Sequence, residues 1–297
     1  MASSSSSYAF RHARSNSLPS RAHPVISKLD ETLSSLRTSE TTCSSSSSVT
    51  CKVNDLQDLH GCVDQLLLLP LVQQAFTQEC HSRWADELLD GSLRLLDLCS
   101  TAKNSLLRSK EALQELQSSM CRRKAGESML DIEIQKYLSV RKSVRKAMKK
   151  ATSSLKARKD DSASSALIKE DEAAAFVTLL KEIKVATTAV FESVFCLLSG
   201  ARQPRSSIAW SFISKVTLKR RAASTEVDLN GFAKQDMALE SLIRHKTGKV
   251  HDLTQVQQLQ DGLKNLDLDI HDLEEGLESL HRRLIKSRVS LLNIINH

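Results

Sequence analysis

Hydrophobic positions recur along this chain at alternating steps of three and four, the 3.5-residue period that keeps one helix stripe facing a partner helix. Between Trp84 and Met120 the stripe runs through Leu88, Leu95, Cys99, Ala102, Leu106, Leu113, Leu116 and Met120, with Ser92 and Ser109 filling two of its slots. A second predicted helix, from about Ser128 to Lys159, carries Ile134, Tyr137, Val144, Met148, Ala151 and Leu155. A third, from about Leu167 to Leu198, carries Phe176, Leu180, Ile183, Thr187, Val190, Val194 and Leu197. The last segment, residues 252–297, is the most regular. Val256, Leu259, Leu263, Leu266, Ile270, Leu273, Leu277, Leu280, Leu284, Leu291 and Ile294 sit at a and d spacing, and only Ser287 interrupts them. At the usual rise per residue this helix is about 60 Å long. Gly262 and Gly276 fall inside it, each costing about 1 kcal/mol relative to Ala. Such a helix needs a packed partner.

Shorter elements precede these. "VISKLDETLSSLR" predicts a short helix, "VNDLQDLHGCVDQLLLLP" a longer one stopped at Pro70, and "LVQQAF" the start of another. "CRRKAGE" and "DDSASSA" read as connections, and "RSSIAWSFISKVTLKRR" as a further short helix. Residues 1–24 form a Ser/Arg-rich segment expected to be disordered. Residues 25–50 hold the short helix and a Ser/Thr-rich linker, whose side chains bond their own backbone and bury little. Residues 51–297 make up the helical domain. The expected fold is all-α: an elongated antiparallel bundle of long helices, closed by the C-terminal heptad-repeat helix. Short connections favour pairing within the chain. A homo-oligomer through the C-terminal helix is the alternative.

Composition agrees. Aromatic residues are 4% of the chain, with 8 Gly and 4 Pro in 297 residues, which suits long helices better than strands. Net charge is +7, enough to permit an acidic partner but not to demand one. The seven cysteines are odd in number, no pair is spaced CxxC, and the start is not hydrophobic, so a reducing compartment is expected. The cytoplasm is the expected location, with plastid and nucleus as alternatives. The most apolar stretch, residues 173–200, is interrupted by Lys181, Glu182, Lys184 and Glu192, so it reads as a buried helix and not a membrane span.

Four stretches, in order, carry a family resemblance: "RSNSLPSRAHP", "LLLLPLVQQAF", "DELLDGSLRLLDLCSTAKNSLLRSKEALQELQSSMCRR" and "YLSVRKSVRKAMKK". The chain resembles the BYPASS-like proteins of land plants, long filed as a domain of unknown function, from about residue 11 to its C-terminus. The family takes its name from a plant protein that restrains a root-derived mobile signal and so affects root and shoot development. The resemblance implies a developmental role, and it brings no catalytic residues with it.

Motifs for chemistry are sparse. His271 and Glu275 are four apart, so one helix face could hold both, but two ligands do not make a metal site. HExxH, CxxC, a glycine-rich phosphate loop and GxSxG are all missing. No metal and no cofactor are expected. The basic run is stronger: between Lys136 and Lys159 stand ten Lys or Arg and no acid, with a basic face of Arg141, Lys142, Arg145, Lys146, Lys149 and Lys150. One reading pairs it with the acidic half of the last helix, where Asp252, Asp261, Asp267, Asp269, Asp272, Glu274, Glu275 and Glu278 stand against Lys264 alone. The others are nuclear import or phosphate binding, and weak attachment to an anionic membrane surface. No aromatic ladder interleaves the bases, so no specific nucleic acid is expected.

Near the start, Arg14, Ser15, Ser17 and Pro19 have the spacing R-S-x-S-x-P. Arg14 suits a basophilic kinase, and a phosphate on Ser17 would suit an arginine cluster such as that of a 14-3-3 phosphoserine reader. Ser224, after "RRAA", is a second basophilic site. The same N-terminal composition, rich in Ser and Arg and free of acids, also fits a plastid transit peptide. The sequence therefore reads as a non-enzymatic helical adaptor regulated through its N-terminus. The alternatives are a peripheral membrane or plastid-targeted protein, or an enzyme whose site is assembled from scattered polar residues.

Overall fold

A computed structural model describes residues 23–39, 45–78, 83–122, 127–159, 172–200, 230–244 and 253–296. The described residues form eight helices: α1 Pro24–Ser39, α2 Ser46–Leu67, α3 Pro70–Gln78, α4 Arg83–Cys121, α5 Glu127–Lys159, α6 Glu172–Ser199, α7 Gly231–Arg244 and α8 Leu253–Asn296. No strand occurs among them. Arg14, Ser17, Pro19, Ser224 and the segment 205–221 lie outside the described residues.

Local chemistry sets the helix ends. Ser45 caps α2, its hydroxyl accepting from the Ser48 amide at 3.3 Å, so α2 begins inside the stretch read as a linker. Serine is a poor helix interior residue but a preferred N-cap. Pro70 opens α3 where its missing N–H is no loss. Gly200, at φ +61°, takes the left-handed position that ends α6.

The hydrophobic residues of the four stripes are buried, save Ala151, Leu155 and Val256, which pack partly covered against the core. α2, α8, α4 and α6 pack side by side in a closed ring. α4 runs antiparallel to α8: Lys110 reaches Glu274 near one end, and Arg288 reaches the Leu89 carbonyl near the other. α2 runs parallel to α8, since Gly276 faces Val53 and Asn54 while Ser287 meets Asp64 further along. A Cβ on Gly276 would sit 3.0 Å from Val53 Cγ1, so the glycine permits this close approach. α4 and α6 are likewise parallel, with Glu87 on Lys181 at 3.0 Å toward one end. The parallel pairs are thus helices distant in sequence. Successive long helices are antiparallel, as short connections require: α5 returns along α4 through Lys136–Glu115 and Arg108–Ser143.

The C-terminal heptads are buried within the chain. Leu263, Leu277 and Leu280 are fully covered, and α2 and α4 cover the seam of α8. α1 lies over α2 and α6. Phe76 of α3 packs on Trp84 at a 35° tilt, with ring centroids 4.8 Å apart, and meets Phe176 edge-on at 6.5 Å, closing one end.

Charge pairing differs from the sequence expectation. α5 packs on α4, α6 and α7, and α4 stands between it and α8. The acids Glu274 and Glu278 are met instead by Lys110 and Lys103 of α4. Complementary totals on two helices do not make them neighbours. The apolar stripes decide packing, and exposed pairs are individually too weak to override them.

Candidate functional site

Each stripe has a polar slot, and each slot receives a polar side chain from another helix. Ser92 on α4 accepts from Arg288 Nη1 of α8 at 2.7 Å. Ser109 on α4 accepts from Arg141 Nη1 of α5 at 3.3 Å. Ser287 on α8 donates to Asp64 Oδ1 of α2 at 2.6 Å. Thr187 on α6 lies 3.0 Å from His60 Nε2 of α2. The Thr187 hydroxyl already donates to the Ile183 carbonyl at 2.7 Å, so it accepts from His60 Nε2–H. The serines and threonine are small enough to sit in a leucine seam and leave room for the incoming group. A buried polar pair of this kind penalises every register that separates it.

The largest of these clusters lies where α5, α6 and α7 meet. Arg141 is fully buried, yet the sequence placed it on an exposed basic face. It occupies the stripe slot left open between Tyr137 and Val144. Its Nε donates to both oxygens of Asp236 on α7, at 3.2 and 3.3 Å, and its Nη2 donates to the Leu198 carbonyl at 2.9 Å. The guanidinium also lies over the Phe232 ring, 4.3 Å from its centroid. Arg145, half-buried, donates from Nη2 to Asp236 Oδ2 at 2.8 Å and from Nε to the Ser199 carbonyl at 3.1 Å. Helix α6 has no basic residue in its last turn, so two arginines of α5 cap its orphan carbonyls instead. Asn230 ties the same end to α7. Its Nδ2 donates to the Leu197 carbonyl at 3.3 Å, and its Oδ1 accepts from the Ala233 amide at 2.9 Å. Two guanidinium charges thus face one carboxylate and the negative end of one helix, a balanced arrangement.

Electrostatics mark these groups as inert. Burial and the Asp236 carboxylate push the Tyr137 phenol well above the ordinary tyrosine range. Burial pushes the Cys99 thiol up to about 12, far from a reactive thiolate. Burial, with Arg283 nearby, lowers the His60 ring from 6.5 to about 4, so the ring is neutral in the folded protein. The unfolded chain therefore binds a proton that the folded chain refuses. Stability from this group is complete above pH 6.5 and is lost as pH falls toward 4. The loss amounts to about 3 kcal/mol. His60→Leu should flatten this part of a stability–pH curve measured by urea unfolding; an unchanged curve would mean that water reaches the ring.

The other residues singled out in the sequence are dispersed. Lys142, Lys146, Lys149 and Lys150 are exposed on α5, and none has an ion-pair partner among the described residues. The basic run is thus divided: the two inner arginines face the core and the lysines face out. His271 and Glu275 form a surface pair on one helix, 3.7 Å apart. No group of three or more His, Cys, Asp or Glu able to hold a metal occurs among the described residues. No described helix is long and apolar enough to cross a membrane. The sequence pattern does not single out Asp236, His60, Asp64 and Arg288. The signal available was the gap that each fills in another helix's stripe.

The family model described as Protein BPS1 matches residues 52–294, from within α2 almost to the end of α8. No curated protein and no solved structure matches the chain. The match takes in most of the chain and agrees with the motifs from "LLLLPLVQQAF" to "YLSVRKSVRKAMKK": the protein belongs to the BPS1 family, the BYPASS-like proteins of plants.

Proposed function

We propose that this protein is a non-enzymatic helical adaptor of the plant cytoplasm, switched by phosphorylation of its N-terminal segment. Membership in the BPS1 family supports a role in plant developmental regulation at a general level; root and shoot development are the processes that the family's name suggests. One observation carries the adaptor reading. The buried polar side chains Arg141, Asp236, His60 and Asp64 are engaged in holding helices to one another, and they do not converge on a common cavity. A rigid bundle of this kind presents surfaces, and regulation then falls to segments attached to it. Arg14, Ser17 and Pro19 provide such a segment. A phosphate on Ser17 adds about −1.5 to −2 charge and suits an arginine-lined reader of the 14-3-3 type.

The test uses the full chain carrying phosphoserine at position 17 and a purified 14-3-3 protein, with binding measured by calorimetry. Binding by the phosphorylated chain, and none by the unphosphorylated chain or Ser17→Ala, is the expected result. Equal binding by all three, or none by any, would overturn the docking reading. N-terminal sequencing of the protein from plant tissue addresses the rival: a mature start beyond Pro19 would make the segment a plastid transit peptide.

A further inference from the structure

We propose that the outer face of α5, formed by Lys142, Lys146, Lys149 and Lys150, docks the protein on an anionic membrane leaflet. The fold turns Arg141 and Arg145 toward α6 and α7 and leaves these four lysines exposed. At 100° per residue they fall within one sector of about 100° on the helix surface, and they span about 12 Å along its axis. They therefore meet a flat surface together. No acid lies between Lys136 and Lys159, and the acids of α8 that could have answered the face are beyond α4.

The chemistry of the face selects among anionic partners. Reading a nucleic acid uses Arg, Asn or Gln forks, or stacked aromatics. The segment from Lys136 to Lys159 has no Asn or Gln, its single aromatic Tyr137 is buried, and Arg141 and Arg145 are committed to Asp236. A specific protein interface needs a buried apolar or aromatic anchor. From Lys136 to Lys156 the exposed residues other than lysine are the serines Ser139, Ser143, Ser153 and Ser154. Flexible point charges without reader or anchor suit a diffuse, laterally mobile array of negative charge. A leaflet rich in acidic phospholipid is such an array. Met129 and Ile132 are also exposed on α5, but Asp131 and Glu133 flank Ile132, so contact is confined to the lysine half.

The experiment is co-sedimentation of the full chain with phosphatidylcholine vesicles, with and without phosphatidylserine, over a salt series. Duplex DNA is run in parallel by mobility shift. The expected result is retention on the phosphatidylserine vesicles alone, weakening with salt. The variant Lys142→Gln, Lys146→Gln, Lys149→Gln, Lys150→Gln should lose partitioning by roughly fivefold per lysine, or some hundreds-fold in all. Its melting temperature should match that of the parent, because the four side chains are exposed and the Arg141–Asp236 cluster is intact. Three results would each overturn the proposal: wild-type retention indifferent to phosphatidylserine, a variant retained as well as the parent, or lysine-dependent binding to DNA without binding to vesicles. None of them bears on the Ser17 reading, which has its own assay.

Discussion

Asp236→Ala is expected to destabilise the protein by about 3–5 kcal/mol, the range for leaving one member of a buried ion pair alone. Asp236 is 2% exposed and Arg141 is 0% exposed, so removing the carboxylate leaves a guanidinium in the core with a serine hydroxyl, a carbonyl and the face of Phe232 for partners, and no counter-charge on its Nε. Arg145 loses its bond to the same carboxylate but is half-buried and can turn to water. Arg141→Met should cost less, because it removes the buried charge and leaves Asp236 paired with Arg145. The double variant should therefore be more stable than Asp236→Ala alone. Urea unfolding of the three variants measures all of this. A loss below about 1 kcal/mol for Asp236→Ala would match a surface pair and would mean that water reaches the junction of α5, α6 and α7.

Much of this architecture could be read from the hydrophobic stripes. The four long helices, the buried face of each, and the stop at Pro70 all follow from spacing and from the few breakers. The interruptions were equally visible, but their meaning was not. Ser92, Ser109, Thr187 and Ser287 mark where a side chain from another helix enters, and a single helix cannot say which one. The gap between Tyr137 and Val144 was a similar mark. Its occupant, Arg141, reads in the sequence as part of a solvated basic face because its neighbours Lys142, Lys146 and Lys149 are all basic. A guanidinium belongs in a core only if a carboxylate arrives from elsewhere, and Asp236 arrives on α7. That helix has only 14 residues, too few for a repeated stripe to stand out. The acid–base match of α5 with α8 misled for a related reason. Net charge along a helix says what it would tolerate nearby, whereas apolar area decides what lies nearby. The start of α2 was hidden because serines that favour a loop also favour an N-cap.

Filling a polar slot tests whether these residues set the helix register. Ser287→Leu would complete the heptad stripe of α8, and a seam held by apolar contact alone would gain about 2 kcal/mol from the added burial. Against that stands the hydroxyl bond to the Asp64 carboxylate, a charged-group bond of about 1.5–3 kcal/mol. Ser287 is 7% exposed and Asp64 3%, so the larger side chain also overpacks the contact, at about 1–3 kcal/mol. Lys286, 3.5 Å from Asp64 Oδ2, lies at the solvent edge and cannot take the place of the hydroxyl. The net expectation is a loss of about 2 kcal/mol. The measurement is calorimetric unfolding of Ser287→Leu beside the parent: a lower melting temperature is the result predicted if the polar slots fix the register, and a higher one would contradict it.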